Sequence, residues 1–322
     1  VNPARAAAPA RAAAPARAAA AVVAVVAVVG WLGGCATAPA WQADIATALS
    51  AARRAQQELV VYFALPGRAT SDRMQRSLTD PQVLAALAAG DFAATITDGV
   101  QRKNLYAAWL GFGEGMGLAV LGADGQCYAA RPGPMDPPEC AAFLRRCAAS
   151  RAARDSLAAQ LARPAVAPTD QHDFGCLLLE LGCTLRAEPL LLAAATAGVA
   201  DARHRLARLY ALDGNLAAAR RWLVDLPRTG PALVTEGYVL FKERRHAEAV
   251  VVLEAALARA DLGGERQRAV LYLGKALHES KQDARAVPVL QALAAEGLGT
   301  TFEAAALHTL AHIRDPQHGH SH

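Results

Sequence analysis

Sulfur and imidazole are the most reactive groups in this sequence, and their spacing limits what they can do. Cysteines stand at 35, 127, 140, 147, 176 and 183. No two are separated by just two residues, the spacing at which one thiolate attacks a disulfide and a neighbouring thiol resolves the product. Cys140 and Cys147, seven apart on an expected helix, would have Cα atoms ~10 Å apart at the helical rise, beyond disulfide reach. Cys127 with Cys140 is a candidate bridge, and Cys176 with Cys183 spans a helix and its turn. For most of the five thiols after Cys35, small apolar filler is the favoured reading. Histidine is absent from Val1 to Gln171, so no serine there has an imidazole base close to it in sequence. At the other end His308 and His312 lie one helical turn apart, and His318, His320 and His322 follow. Imidazoles so spaced can bind zinc, copper or nickel. A terminal histidine run also binds such ions incidentally, so no resident metal or other cofactor is expected.

Positioning such groups requires a scaffold, and two scaffolds are legible. Between Trp41 and about Ala149 the pattern predicts α-β-α-(α)-β-α-β-β-α. Trp41 to Gln57 reads as an amphipathic helix and Glu58–Ala64 as a buried strand, with a helix through Met74 and Leu78 after it. Thr79 to Gly90 is a capped helix, "DFAATIT" a strand, and Val100 to Phe112 a helix. "GLAVLGADGQCYAA" reads as a hairpin, and a last helix begins at Pro137-Pro138.

This order, with "VYF" ending the first strand, "DPQV" after the second helix and Asp124-Gly125 in the hairpin, resembles the thioredoxin fold over about Trp41 to Arg146. The resemblance implies a Trp-Cys-x-x-Cys segment where "GRATS" stands. The Trp position is then Gly67, the two cysteine positions are Arg68 and Ser71, and the family's cis-proline falls near Met116. A guanidinium cannot attack sulfur, and a lone hydroxyl is a poor nucleophile. The domain is therefore expected to be redox-inactive, with the turn before the second helix an ordinary one carrying a solvated Arg68.

After a Pro/Ala linker, Pro164 to Pro168, strand signals vanish. Gly175, Ala207, Gly237 and Gly274 are followed three residues on by Leu178, Tyr210, Leu240 and Leu277. Twelve residues on come Ala187, Ala219, Ala249 and Ala286, and sixteen on Leu191, Leu223, Leu253 and Leu290. This register resembles the tetratricopeptide repeat, and "LLAAATAGVADARHRLARLY" resembles the related Sel1-like repeat. Both imply stacked helical hairpins with one continuous core. Pro189 and Pro288 are expected in the first turns of second helices, where proline is tolerated. The resemblance also implies a concave groove lined by first helices. Its outward positions would be His204, Arg208, Tyr238, Phe241, Lys242, Arg268, Lys275 and His278, a basic set with two aromatics suited to an acidic peptide or a C-terminal carboxylate.

The N-terminus supplies the setting. Arg5, Arg11 and Arg17 precede an apolar run, Ala18 to Leu32, that is short for a membrane span but suits a secretory signal. It ends in Leu32-Gly33-Gly34-Cys35, which resembles the lipobox of bacterial lipoproteins and implies lipidation of Cys35. Ala36 after it resembles an outer-membrane sorting signal. Export implies an oxidising compartment. Net charge is only +4 and no dense basic run occurs, which argues against a nucleic-acid partner.

The expectation is a multidomain chain: signal peptide 1–34, anchored linker 35–40, an α/β thioredoxin-like domain 41–150, and a helix end and linker 151–170. An all-α tetratricopeptide-like solenoid, 171–314, and a His-rich tail, 315–322, complete it. The expected role is a scaffold that binds a protein or peptide, is held to the membrane by its lipid at the periplasmic face of the outer membrane, and is not an enzyme. A thiol–disulfide oxidoreductase and a metal-handling envelope protein are the alternatives.

Overall fold

Every residue of Glu58–Ala64 (β1) is buried, as a strand covered on both faces must be. The computed structural model describes residues 41–315 except 43 and 112–114. Cys35 and its lipobox, and His318, His320 and His322, lie outside the described residues. A first helix, α1 (Ile45–Ala55), precedes β1, which pairs in parallel with β2 (Phe92–Asp98) and antiparallel with β3 (Gly117–Leu121). β3 pairs antiparallel with β4 (Cys127–Pro132), giving the order β2-β1-β3-β4. The parallel step from β1 to β2 needs a crossover, made by α2 (Ala69–Leu78) and α3 (Pro81–Ala89). Asp80 caps α3 by accepting the Gln82 N–H, with Pro81 at the first helical position. α4 (Lys103–Leu110) packs on β3 and β4, while α5 (Pro137–Ala149) packs on α2 and α3.

Two helices start later than the sequence suggests. Asp44 accepts the Thr47 N–H at 2.7 Å and so opens α1 at Ile45 rather than at Trp41. Gln42 instead runs beside β2, bonding Ala94 O and Ile96 N at 3.0 Å each. Likewise the Asp98 carboxylate accepts the N–H groups of Val100 (2.8 Å) and Gln101 (3.0 Å), an Asx turn that delays α4 to Lys103.

The rest of the described chain is helical. α6 (Arg151–Leu161) leads to four antiparallel pairs: α7 (Pro168–Glu180) with α8 (Thr184–Thr196), α9 (Ala202–Leu212) with α10 (Leu216–Leu223), α11 (Gly230–Lys242) with α12 (His246–Leu257), and α13 (Arg266–Glu279) with α14 (Asp283–Glu296). A 3-10 turn, Ala260–Glu265, precedes α13, and α15 (Thr301–Arg314) closes the array against α14 and α13. Pro189 and Pro288 sit inside α8 and α14, not in their first turns. Both helices begin five residues earlier, at Thr184 and Asp283, so each proline removes an internal hydrogen bond. Among the described residues no helix is long and apolar enough to cross a membrane.

The helical array grips the edge of the sheet. Ala130 N–H donates to Leu181 O (3.0 Å), and Arg186 Nη1 donates to Cys127 O (2.6 Å). Gly182, at φ 79°, comes so near that a Cβ would overlap Ala130 O. These contacts cover β4, whose free edge would otherwise be a template for pairing with another chain. The sheet's apolar core runs on into α7, α8 and α9, where Phe174, Leu178, Leu191 and Leu206 join Tyr128, Phe143 and Leu144, while the later pairs bury separate clusters rather than one continuous core.

Candidate functional site

The turn between β1 and α2 has been built without sulfur. Gly67 takes φ 78° to turn the chain, and Arg68 is exposed at the cap of α2 with no side-chain capping bond. Ser71 is buried. Its Oγ accepts the Leu65 N–H at 2.9 Å and lies 2.9 Å from the Tyr62 hydroxyl. Burial pushes the Tyr62 phenol up to about 12, so it stays protonated and serves as a donor. No base contacts Ser71 among the described residues; the hydroxyl closes a hydrogen-bond knot. Met116 is buried, its carbonyl accepting from the Tyr106 hydroxyl (3.2 Å) and Gly133 N (2.9 Å). The described residues contain no cis peptide.

All five described cysteines are free. The bridge considered between Cys127 and Cys140 is not formed: Cys127 lies against Cys183 instead, the two side chains within hydrogen-bonding distance. Cys183 also donates to Cys127 O at 3.4 Å. The Cys127 thiol is pushed up, by this bond first and burial second, while Cys183 is lowered by the same bond and by Arg186 nearby. Burial pushes Cys140 up to about 12, and Cys147 higher still.

A cavity of about 510 Å³ lies between β4 and α5 on one side and α7, α9, α11, α13 and α15 on the other. An open first-helix face is expected from the repeat register; the structure turns that face toward the sheet. His204, Arg208, Tyr238 and Arg268 are consequently buried rather than outward-facing. Six of the eight groove candidates line the cavity: Arg208, Tyr238, Phe241, Lys242, Arg268 and Lys275. His204 and His278 do not. His204 Nδ1 bonds Asp201 (3.1 Å), and His278 Nδ1 bonds Asp283 (2.6 Å) with its ring edge-on to His312.

Glu180, the last residue of α7, organises one wall. It accepts from Arg208 Nη1 (2.5 Å), from Arg146 Nη2 (3.0 Å) and from Arg268. Arg205 stands 3.7 Å away and pairs with Glu265, which also binds Arg268. Against the cost of its burial, the surrounding guanidiniums, Arg208 and Arg268 foremost, hold the Glu180 carboxyl far below the usual carboxylate range. The other wall is aromatic, with Tyr238 and Tyr272 ring centroids 4.5 Å apart and Phe241 6.0 Å from Tyr272. Arg131, Lys242 and Lys275 line the same cavity and form no ion pair among the described residues. Burial pushes the Lys275 ammonium down, as do the neighbouring Arg131 and Lys242, against the pull of Glu139. Buried Arg208 Nε has no hydrogen-bond partner. The result is an amphipathic chamber with positive charge to spare.

Sequence reasoning missed Glu180, Arg146, Arg131 and Tyr272. Arg131 and Arg146 belong to the sheet region, and nothing in a linear pattern says that Arg146 reaches Glu180 and Thr301 or that Arg131 lines the cavity. No protein-family model matches the chain, and a search of curated proteins finds no relative.

Proposed function

We propose that the protein is an exported, lipid-anchored binding scaffold whose cavity receives the carboxylate-bearing end of a peptide or protein partner. In this reading 41–150 is a redox-inactive thioredoxin-like module, and the helical pairs are a tetratricopeptide-like array closed over it. The α-β-α-α-β-α-β-β-α order and the mixed sheet support the first assignment; the fixed Gly/Ala and Leu offsets along four hairpins support the second. The anchor rests on the lipobox-like stretch ending at Cys35, which supports a site in a bacterial envelope.

One observation carries the binding role: Arg131, Lys242 and Lys275, none in an ion pair among the described residues and only Lys275 under the pull of Glu139, converge on a chamber walled by Tyr238, Phe241 and Tyr272. An oxyanion would meet charge-assisted donors there, and the aromatic rings would take the adjoining apolar residues. The test is fluorescence polarisation with acidic peptides carrying a free or an amidated C-terminus. Free-carboxylate peptides should bind, and Lys242→Gln with Lys275→Gln should weaken them at least about tenfold, as loss of charge-assisted bonds does. Equal binding of the amidated peptides, or indifference to both substitutions, refutes the reading. Loss of palmitate incorporation in Cys35→Ala checks the anchor separately.

A thiol–disulfide oxidoreductase is the second reading, and the Cys127–Cys183 contact favours it. Cys183 caps α8, where a helix terminus and Arg186 favour a thiolate. Its burial, at 2% exposure, argues the other way, because exchange requires access to the sulfur.

A further inference from the structure

Near the start of the helical array, His172 and Cys176 stand at i and i+4 on α7 and so share a face. Asp201, at the start of α9, brings its carboxylate to them. His172 Nε2 lies 3.3 Å from Cys176 Sγ and 3.2 Å from Asp201 Oδ2. The three donor atoms all fall within 4.8 Å of one another. A tetrahedral ion with bonds of about 2.0–2.1 Å to nitrogen and oxygen and about 2.3 Å to sulfur holds its ligands about 3.3–3.6 Å apart. We propose that His172 Nε2, Cys176 Sγ and Asp201 Oδ2 form a Zn²⁺ site, with solvent as the fourth ligand.

The surroundings are those of a metal centre. His172 Nδ1 is bonded to Asp173 Oδ1 at 2.8 Å, which orients the ring, and an ion at Nε2 would take the place of the proton that Nε2 shares with Asp201 Oδ2. Asp201 Oδ1 is held by His204 Nδ1 at 3.1 Å, turning Oδ2 toward His172. Arg205 Nε also reaches Oδ2 at 3.2 Å, but a carboxylate oxygen has a second lone pair for a cation. Arg205 is further engaged with Glu265, so it need not leave when an ion enters. The His172 side chain is 14% exposed and that of Asp201 42%, so an ion can reach the site from solvent. Mixed nitrogen, sulfur and oxygen donors suit a borderline-soft ion; calcium and magnesium want oxygen alone. Binding converts the Cys176 thiol to a thiolate and releases its proton.

The ion would tie α7 to α9. About two turns further along the same two helices, Glu180 meets Arg208. Zinc would thus brace the pair that carries one wall of the cavity.

The test uses the full chain with His318→Asn, His320→Asn and His322→Asn, which removes the competing tail. Co²⁺ should bind in a one-to-one ratio and give intense visible d–d bands with a near-ultraviolet thiolate-to-cobalt transition, and Zn²⁺ should abolish both. Cys176→Ala and His172→Gln should lose them while keeping the metal-free melting curve. Asp173→Asn should weaken binding about 10- to 100-fold, as loss of such a supporting carboxylate does. Independently of any variant, Zn²⁺ should slow alkylation of Cys176. Weak octahedral bands without the thiolate transition, stoichiometric zinc retained by Cys176→Ala, or an alkylation rate indifferent to Zn²⁺ would each overturn the proposal.

Discussion

Gly237 and Leu253, sixteen residues apart, meet so closely that a Cβ on the glycine would stand 2.5 Å from Leu253 Cγ. Gly175 faces Leu191 and Gly274 faces Leu290 in the same way, with nearest approaches of 2.8 and 2.5 Å. The recurring glycine is therefore a packing requirement between the two helices of these three hairpins. Gly237→Ala would ordinarily strengthen an exposed helix by about 1 kcal/mol. Here overpacking, about 1–3 kcal/mol, should outweigh that and lower the urea midpoint. Leu253→Ala alone should leave a void costing about 2–5 kcal/mol. The double variant should lose less than the sum of the two, since the methyl enters the vacated space. Additive losses would show that the two residues do not press on each other.

That register was legible because it depends on contacts within about twenty residues. So were β1 at Glu58–Ala64 and the β3–β4 hairpin, where runs of apolar residues and an Asp-Gly turn act locally. The closure of the first-helix face was not. Arg208 and Arg268 look like solvated groove residues in a linear pattern, because their counter-ion Glu180 stands 28 and 88 positions away. The start of α1 also eluded the pattern, since the apolar Trp41 continues the helical period while Asp44 ends it by capping. For the metal cluster the only linear signal is His172 four residues before Cys176; Asp201 arrives through the tertiary fold.

Glu180 makes a strong prediction for stability against pH. It is faced by Arg146 from α5, Arg205 and Arg208 from α9, and Arg268 from α13, with Glu265 sharing two of these guanidiniums. Glu180→Gln leaves Arg208 buried without its anion and Arg268 with Glu265 alone, and should cost about 3–5 kcal/mol at pH 7. The folded carboxyl titrates far below the unfolded value of about 4.3. Its contribution is therefore present above that unfolded value and is lost as pH falls through the folded one. Urea midpoints taken from pH 7 down to pH 3 should fall more steeply in the native chain than in Glu180→Gln. Parallel curves would mean that Glu180 is solvated in solution.

Ser71 and Arg68 should separate cleanly, although the proposed thioredoxin likeness puts both at cysteine positions. Ser71→Ala removes the acceptor of the buried Leu65 N–H and a partner of the Tyr62 hydroxyl. An orphaned buried group costs about 1–3 kcal/mol, so the melting temperature should drop. Arg68→Ala removes an exposed side chain with no cap bond and should stay within about 0.5 kcal/mol of the native chain. If Arg68→Ala instead proved the more damaging, the turn would carry a contact that its exposure does not reveal.

Thiol reactivity distinguishes the scaffold from the oxidoreductase. Cys127, Cys140, Cys147 and Cys183 are all at most 4% exposed, and Cys176 alone among the described thiols is half-buried. A thiol raised to about 12, as Cys140 is, is ionised in only about one molecule in ten thousand at pH 8. Cys183 has the opposite tendency, but a lowered thiol that no reagent can reach exchanges no faster. Metal-free native protein treated with iodoacetamide should therefore be labelled first at Cys176, and at the other four only once urea exposes them. Mass spectrometry of the digested chain reads out each site. Insulin reduction by the purified protein with a thiol donor should stay at the uncatalysed rate. Rapid native labelling of Cys183, together with turnover that disappears in Cys127→Ser and Cys183→Ser, would instead place electron exchange at the junction of β4 with α8.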